Sequence, residues 1–105
     1  MAETARTGKP AAKFGTVARV LKAVAHPQRL AIIEMLQGRD MCVNEICDAL
    51  GAKQAMTSQH LNLMRDRGIL TCRREGGKVY YAIGNTNVIK LLQCVYSSCD
   101  AGQVR

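Results

Sequence analysis

Inward-facing residues recur at intervals of three and four along most of the chain, which predicts five amphipathic helices. Pro27 separates the first helix from the second, because proline lacks the N–H that a helix interior needs but suits a first turn. Gly38, Gly51 and Gly68 end the second, third and fourth helices. The inward-facing positions, helix by helix, are Phe14, Val17, Ala18, Leu21, Val24 and Ala25; Leu30, Ile33 and Leu36; Val43, Ile46, Cys47 and Leu50; Thr57, Leu61 and Met64; and Val88, Leu91, Leu92, Val95 and Cys99.

Between the fourth and fifth helices, two β-prone runs at residues 69–74 and 79–83 flank the pair Gly76-Gly77. A glycine pair between such runs is typical of a tight hairpin turn. The third and fourth helices are themselves joined by a tight turn at Gly51, which is the helix-turn-helix arrangement. The pattern therefore predicts a mainly α protein with a small β-hairpin, a winged helix-turn-helix in which the hairpin is the wing.

The chain has 105 residues, which is enough for one domain. Residues 1–13 lack apolar periodicity, so we expect a flexible N-terminal arm there and a single folded domain over residues 14–105. No stretch approaches the roughly 18 apolar residues of a membrane span, and the start lacks the apolar core of a secretory signal. We therefore expect a cytoplasmic protein without a membrane partner.

The balance of charge favours a polyanionic partner. The chain carries 15 basic and 8 acidic residues, for a net charge of +7. Between Lys53 and Lys78, six basic residues stand against only Asp66 and Glu75. Basic side chains attract nucleic acid because each one near a phosphate releases a counterion. Together with the helix-turn-helix pattern, this charge predicts that residues 14–105 form a DNA-binding domain.

The second helix of such a motif enters the major groove and reads base edges through its N-terminal residues. Glutamine suits this task because its amide pairs with adenine through two hydrogen bonds, while basic wing residues hold the flanking backbone. The packing alternative stays open for His60, which lies between the outer surface and the inward stripe. The candidate DNA contacts are Lys53, Gln54, Ser58, Gln59, His60, Arg73, Arg74 and Lys78.

Several segments together resemble the ArsR/SmtB family of metal-responsive repressors. Residues 21–30 read LKAVAHPQRL, residues 58–65 read SQHLNLMR, and residues 73–81 read RREGGKVYY, in the order of the family pattern. The resemblance covers about residues 14–99. It implies a homodimer that packs through the first and last helices, binds an inverted-repeat operator in double-stranded DNA, and releases it when an inducer binds.

Five cysteines give the domain its candidate sensor chemistry. An odd number in a reducing compartment argues against a framework of structural disulfides. Residues 41–47 resemble the arsenic-type segment of the family, except that Asn44 stands where the middle cysteine would be. Arsenite favours three soft thiolates, so a third ligand must come from elsewhere or the site has two ligands.

The candidate metal ligands are Cys42, Cys47, Cys94 and Cys99. Cys42 is the strongest, because the start of a helix favours the thiolate. Cys47 and Cys99 fall on inward stripes, so packing stays open as an alternative for both, and Cys72 in the first wing strand is expected to be structural. The resemblance implies last-helix cysteines that bind arsenite or sense sulfur and oxidants in some members.

The zinc site of the family needs aspartate and histidine on the last helix, and residues 85–87 and 97–98 lack both. Arsenite and antimonite are therefore the favoured inducers, with cadmium or lead as alternatives and no obligatory cofactor. A sensor of oxidants or reactive sulfur stays open, although residues 30–34 lack the second-helix cysteine of sulfide-responsive relatives. An enzyme is disfavoured, because the chain has no Cys-x-x-Cys and only two histidines. The basic wing likewise disfavours a winged helix that binds only protein.

Overall fold

The structure, a computed structural model, describes the backbone of residues 8–100 and the side chains of residues 12–99. Over residues 8–100, its elements confirm the predicted fold class, with five helices and a hairpin before the last one. The helices are α1 (Gly8–Val24), α2 (Pro27–Leu36), α3 (Val43–Leu50), α4 (Gln54–Asp66) and α5 (Thr86–Asp100). The strands are β1 (Met41–Cys42), β2 (Leu70–Glu75) and β3 (Lys78–Ile83).

A short strand before α3 extends the predicted hairpin into a three-stranded antiparallel sheet of order β1-β3-β2. In β1, Met41 pairs with Tyr81 and Cys42 with Tyr80. The sequence analysis missed this strand because two residues are too few to show an alternating pattern. Its consequence is that the start of α3 is hydrogen bonded to the wing.

The wing itself is a regular hairpin whose register runs from Leu70 opposite Ile83 to Glu75 opposite Lys78. The two turn residues, Gly76 and Gly77, have φ values of +58° and +80°. Two consecutive positive φ values define the type I′ turn, and glycine adopts them without steric cost. The predicted Gly-Gly turn is therefore confirmed.

The hydrophobic core lies between α2, α3, α4 and the inner ends of the sheet. The predicted inward stripe of α4 is confirmed, since Thr57, Leu61 and Met64 are all fully buried. The C-terminal end of α1 and one face of α5 close the core from the other side. The fully buried apolar side chains are Ile32, Ile33, Ile46, Leu61, Met64, Ile69 and Leu70.

The first helix begins earlier than the apolar pattern indicates. It starts at Gly8 rather than near Phe14, so residues 8–13 of the expected arm are helical. Alanine-rich sequence with a proline confined to the first turn allows a helix without any apolar stripe. The rest of the expected arm, residues 1–7, and the chain end at residues 101–105 lie outside the described residues.

Within residues 8–100, no helix combines the length and the apolar character needed to cross a lipid bilayer.

Apolar side chains remain exposed along one side of α1 and one side of α5. On α1, Phe14 is 64 % exposed, and Val17 and Leu21 lie beside it at helical spacing. On α5, Leu91 and Val95 are each nearly half exposed. These side chains belong to the stripes predicted from sequence, but within one protomer the stripes are only partly covered.

Candidate nucleic-acid interface

A sharp turn at the end of α3 sets the position of α4. Gly51 follows α3 with φ +66°, and its N–H donates to the carbonyl of Cys47 at 2.8 Å. This left-handed residue ends the helix in the way that favours glycine. Lys53 is extended and immediately precedes α4. The two helices thereby form the helix-turn-helix that the sequence predicts.

One outer side of α4 is polar and accessible over the first two and a half turns of the helix. Gln54, Gln59 and Asn62 are exposed, Ser58 is half-buried, and Lys53 is exposed just before the helix. The opposite side carries the buried stripe, so the helix is held by its apolar face and presents amides and a hydroxyl outward. Such groups can hydrogen bond to base edges in a major groove.

His60 differs from the other α4 candidates because it lies inside the protomer and is only 4 % exposed. Its Nδ1 accepts a hydrogen bond from Nε of Arg29 at 3.0 Å, and its ring centroid lies 4.5 Å from that of His26. Burial lowers the pKa of His60, and the charges of His26 and Arg29 lower it further. The structure thus favours the packing alternative, and we leave His60 out of the DNA-contact set.

The basic residues of the wing fall into two groups. Arg74 and Lys78 are exposed and form no ion pair with any residue of the described segment. Arg73 instead pairs with Asp40 and with Glu75, the latter at 3.1 Å, and its guanidinium lies 5.1 Å from the centre of the Tyr80 ring. The free charge of the wing is therefore concentrated near its tip.

Cys42 is the extended residue that immediately precedes α3. Its N–H donates to the Glu45 carboxylate at 3.0 Å, and this bond lowers the pKa of Glu45, which Arg39 lowers further. Cys42 is 4 % exposed and borders a cleft of about 210 Å³. Gln54 of α4 and Lys78 of the wing line the same cleft, so Cys42 borders a cleft that it shares with two candidate DNA-contacting elements.

The other cysteines are dispersed. Cys47 is half-buried on α3, whereas Cys72 on β2 and Cys94 and Cys99 on α5 are exposed. Among the described residues, no three histidine, cysteine, aspartate or glutamate side chains come together in a way that could hold a metal ion. The four-cysteine ligand set stays a prediction.

Sequence reasoning missed the role of Arg29. Besides its bond to His60, its guanidinium donates to the carbonyl of Ala23 at 3.3 Å, near the end of α1. The side chain thus joins α1, α2 and α4. The feature of the sequence that could have indicated this role is the position of Arg29 just after the His26-Pro27 break. At that break the side chain of His26 caps α2 by accepting a hydrogen bond from the N–H of Gln28.

The comparisons agree with this geometry. The sequence profile described as "Bacterial regulatory protein, arsR family" matches residues 26–71. The transcriptional activator HlyU of Vibrio cholerae is 37 % identical over 87 residues, which cover 80 % of this chain and 79 % of HlyU. The repressor SmtB of Mycobacterium tuberculosis is 34 % identical over 73 residues, which cover 70 % of this chain. The chain spans about half the length of SmtB, since the match covers 54 % of it.

Solved structures show the same architecture. The homodimeric winged helix-turn-helix DNA-binding domain Mb0332 of Mycobacterium bovis superposes with a TM-score of 0.80 at 34 % identity. The superposition covers 88 % of this chain and 85 % of that domain. With the HlyU match at 37 % identity over most of both chains, these likenesses show that the chain belongs to the ArsR family of bacterial regulatory proteins.

Proposed function

We propose that this chain is a homodimeric DNA-binding transcriptional repressor that a thiol-reactive inducer releases from its operator. One observation carries the proposal: the exposed polar surface of α4 stands beside the unpaired cations at the tip of the wing. A helix that presents Gln54 and Gln59 to a major groove, flanked by Arg74 and Lys78 toward the backbone, has the components of base reading and phosphate contact.

The exposed apolar sides of α1 and α5 support a dimer. Burying a large apolar side chain stabilises an interface by about 1.5–3 kcal/mol, and a twofold axis makes each contact occur twice. Phe14 and Val95 are large apolar side chains left uncovered in one protomer. The Mycobacterium bovis relative is a homodimer, which supports a dimeric state for this chain.

The cleft beside Cys42 supports a direct route from inducer to DNA. A group bonded to this thiol would occupy space bordered by Gln54 and Lys78, and would displace the start of α4 or the tip of the wing. We infer that such a displacement lowers operator affinity. Arsenite and antimonite are the inducers we favour, because both are soft and bind thiolates selectively.

A complete three-thiolate site needs a second source of ligands. Cys94 and Cys99 lie on α5, the helix that carries the exposed Leu91 and Val95. We propose that dimer formation brings thiols of α5 from the two protomers toward one another. Cadmium or lead would suit the same thiols.

The exposure of Cys94 and Cys99 also favours a second signal. Accessible thiols are open to oxidation, and two of them can form a disulfide by giving two electrons and two protons to hydrogen peroxide, which is reduced to two water molecules. A disulfide across the dimer axis would alter the spacing of the two α4 helices. In this alternative the fold and the DNA contacts are the same, and only the inducer differs.

The DNA-reading surface is tested with Gln54→Ala/Gln59→Ala. Losing a specific base contact costs about 1–3 kcal/mol, so operator affinity should fall at least tenfold while non-specific binding persists. The measurement is anisotropy of a fluorescent duplex from the upstream region of the gene. Gln93→Ala, on the exposed surface of α5, is the control that should bind like wild type. Unchanged operator affinity in the α4 variant would refute this surface.

A further inference from the structure

A second basic surface lies apart from the wing, where α1 meets the C-terminal end of α4. A cleft of about 160 Å³ is lined there by Arg19, Lys22, Ala23, Arg29, Leu63 and Arg67. Four of these six side chains are cationic and none is acidic. One water molecule occupies roughly 30 Å³ in the liquid, so the cleft has room for a polyatomic anion.

Three of the four cations are free to meet a ligand. Arg29 is committed to the fold by its bonds to His60 and to the carbonyl of Ala23. Arg19, Lys22 and Arg67 are exposed and pair with no acidic side chain of residues 12–99. Like charges held this close repel one another, and an anion between them would relieve that repulsion.

The cleft also stays open when the exposed apolar side of α1 is covered. At 3.6 residues per turn, Arg19 points roughly 165° and Lys22 roughly 105° away from the centre of the stripe formed by Phe14, Val17 and Leu21. A partner protomer packed on that stripe would therefore leave the basic side of α1 facing solvent.

The cleft lies next to the polar surface of α4, because residues of both follow one another along that helix. Gln59, Leu63 and Arg67 follow one another at intervals of four, which places them on neighbouring parts of one side. At 1.5 Å per residue, Arg67 lies about 12 Å along the axis from Gln59. The major groove is about 12 Å wide, so a helix that reads bases near Gln59 brings Arg67 toward the phosphates that border the groove.

We propose that this cleft is a phosphate-binding site, in which Arg19, Lys22 and Arg67 hold the anion and Arg29 fixes the wall behind them. Guanidinium groups suit this ligand, because their planar donors match phosphate oxygens two at a time. The position of the cleft on α4 favours a phosphodiester of the bound operator as the group that occupies it. This assignment rests on the DNA binding proposed above. A free phosphate group presents the same oxygens and is the other source.

The test compares Arg19→Gln/Lys22→Gln with the control Lys13→Gln/Lys90→Gln, which removes the same charge from exposed sites outside the cleft. Operator affinity is measured by anisotropy across a salt series. The logarithm of affinity falls with the logarithm of salt by about 0.9 per phosphate contacted, so losing one site in each protomer should reduce this slope by about 2 relative to the control. Thermal unfolding of each variant without DNA verifies that it folds.

A second arm needs no DNA. The unfolding temperature is measured in sodium phosphate and in sodium chloride of equal ionic strength, because an anion that binds the native state raises this temperature. A reduced salt slope in the cleft variant identifies the DNA backbone as the source. The other source, a free phosphate, is identified by two results together. The salt slope of the cleft variant is unchanged, and phosphate raises the unfolding temperature of wild type by about 4 °C or more but not that of the cleft variant.

An unchanged slope together with no selective effect of phosphate would overturn the site. If wild type binds no DNA at all, the proposed repressor function fails, and the phosphate arm alone decides the cleft.

Discussion

At the scale of single residues, the junction of Arg29 with His60 shows how the recognition helix is held. His60 accepts through Nδ1, so the ring must be neutral for the bond from Arg29 to form. Its Nε2 is buried and has no hydrogen-bond partner among the described residues. A buried ring with one satisfied nitrogen, beside Arg29 and His26, is poorly placed to accept a second proton.

This environment predicts a loss of stability in acid. Since the folded state lowers the pKa of His60, the unfolded chain takes up this proton first as the pH falls below about 6.5. The contribution of neutral His60 to the free energy of unfolding is present above that pH and is lost progressively below it. We expect His60→Gln to lose less unfolding free energy than wild type between pH 7.5 and 5, as measured by urea denaturation.

The matched variant is His26→Asn, because asparagine can still cap α2 and leaves His60 in place. Between pH 7.5 and 5, this variant should lose nearly as much unfolding free energy as wild type. Equal loss of stability in wild type and His60→Gln would show that His60 does not contribute.

At the scale of elements, the unit of α3, turn and α4 depends on one residue with left-handed backbone. A side chain at φ +66° is strained, at a cost of about 1–2 kcal/mol. We therefore expect Gly51→Ala to reduce the unfolding free energy by about that amount, as measured by chemical denaturation.

Gly38→Ala is the control for this substitution. Gly38 has no positive φ, and an added Cβ would meet its nearest neighbour at 3.7 Å, an ordinary contact. This variant should be neutral or slightly stabilised, because alanine restricts the unfolded chain. If both variants behaved alike, the strained backbone at Gly51 would not be what fixes the turn.

Elements with a local signal were predictable from the sequence. Gly51 marked the turn, Gly76-Gly77 marked the hairpin, and the stripe of α4 marked its buried side. Strand β1 was not predictable, because its pairing with Tyr80 and Tyr81 comes from residues distant in sequence. The early start of α1 was missed for a different reason, since its first turns lack apolar periodicity.

The candidate site was predictable as a set of residues but not as an arrangement. Exposure of Gln59 followed from helical spacing, whereas Gln54 lies at the spacing of the buried stripe and is exposed because it begins the helix. The burial of His60 and the ion pair of Arg73 with Asp40 depend on side chains from other parts of the chain, namely Arg29 on α2 and Asp40 before β1. The cleft between Cys42 and Lys78 likewise exists only in the folded chain.

At the scale of the whole molecule, the two exposed apolar sides predict that the protein in solution is a dimer. We expect wild type to have about twice the 11.5 kDa mass of one chain, measured by light scattering after size exclusion. Phe14→Asp should shift the protein toward the single-chain mass, because a charge would replace an apolar contact on both sides of the twofold axis.

Met56→Asp controls for the loss of an exposed apolar side chain, since Met56 on α4 is 47 % exposed and lies outside the proposed interface. This variant should keep the mass of wild type. A wild-type protein with the mass of one chain at micromolar concentration would contradict the dimer.

The most direct test of the central claim is the release of DNA by an inducer. Reduced protein is titrated into a fluorescent duplex from its own upstream region, with and without a slight excess of arsenite, and anisotropy gives the affinity. The comparison includes Cys42→Ser, which should bind DNA but ignore arsenite, and Cys72→Ser, which should respond like wild type.

We expect the wild-type protein to bind the duplex tightly and in a salt-sensitive way, with an affinity that falls at least tenfold with arsenite. Tight binding that ignores arsenite but is lost on oxidation would retain the repressor and replace the metalloid by an oxidant. If the wild-type protein shows no salt-sensitive binding to this duplex, it is not a repressor that acts there.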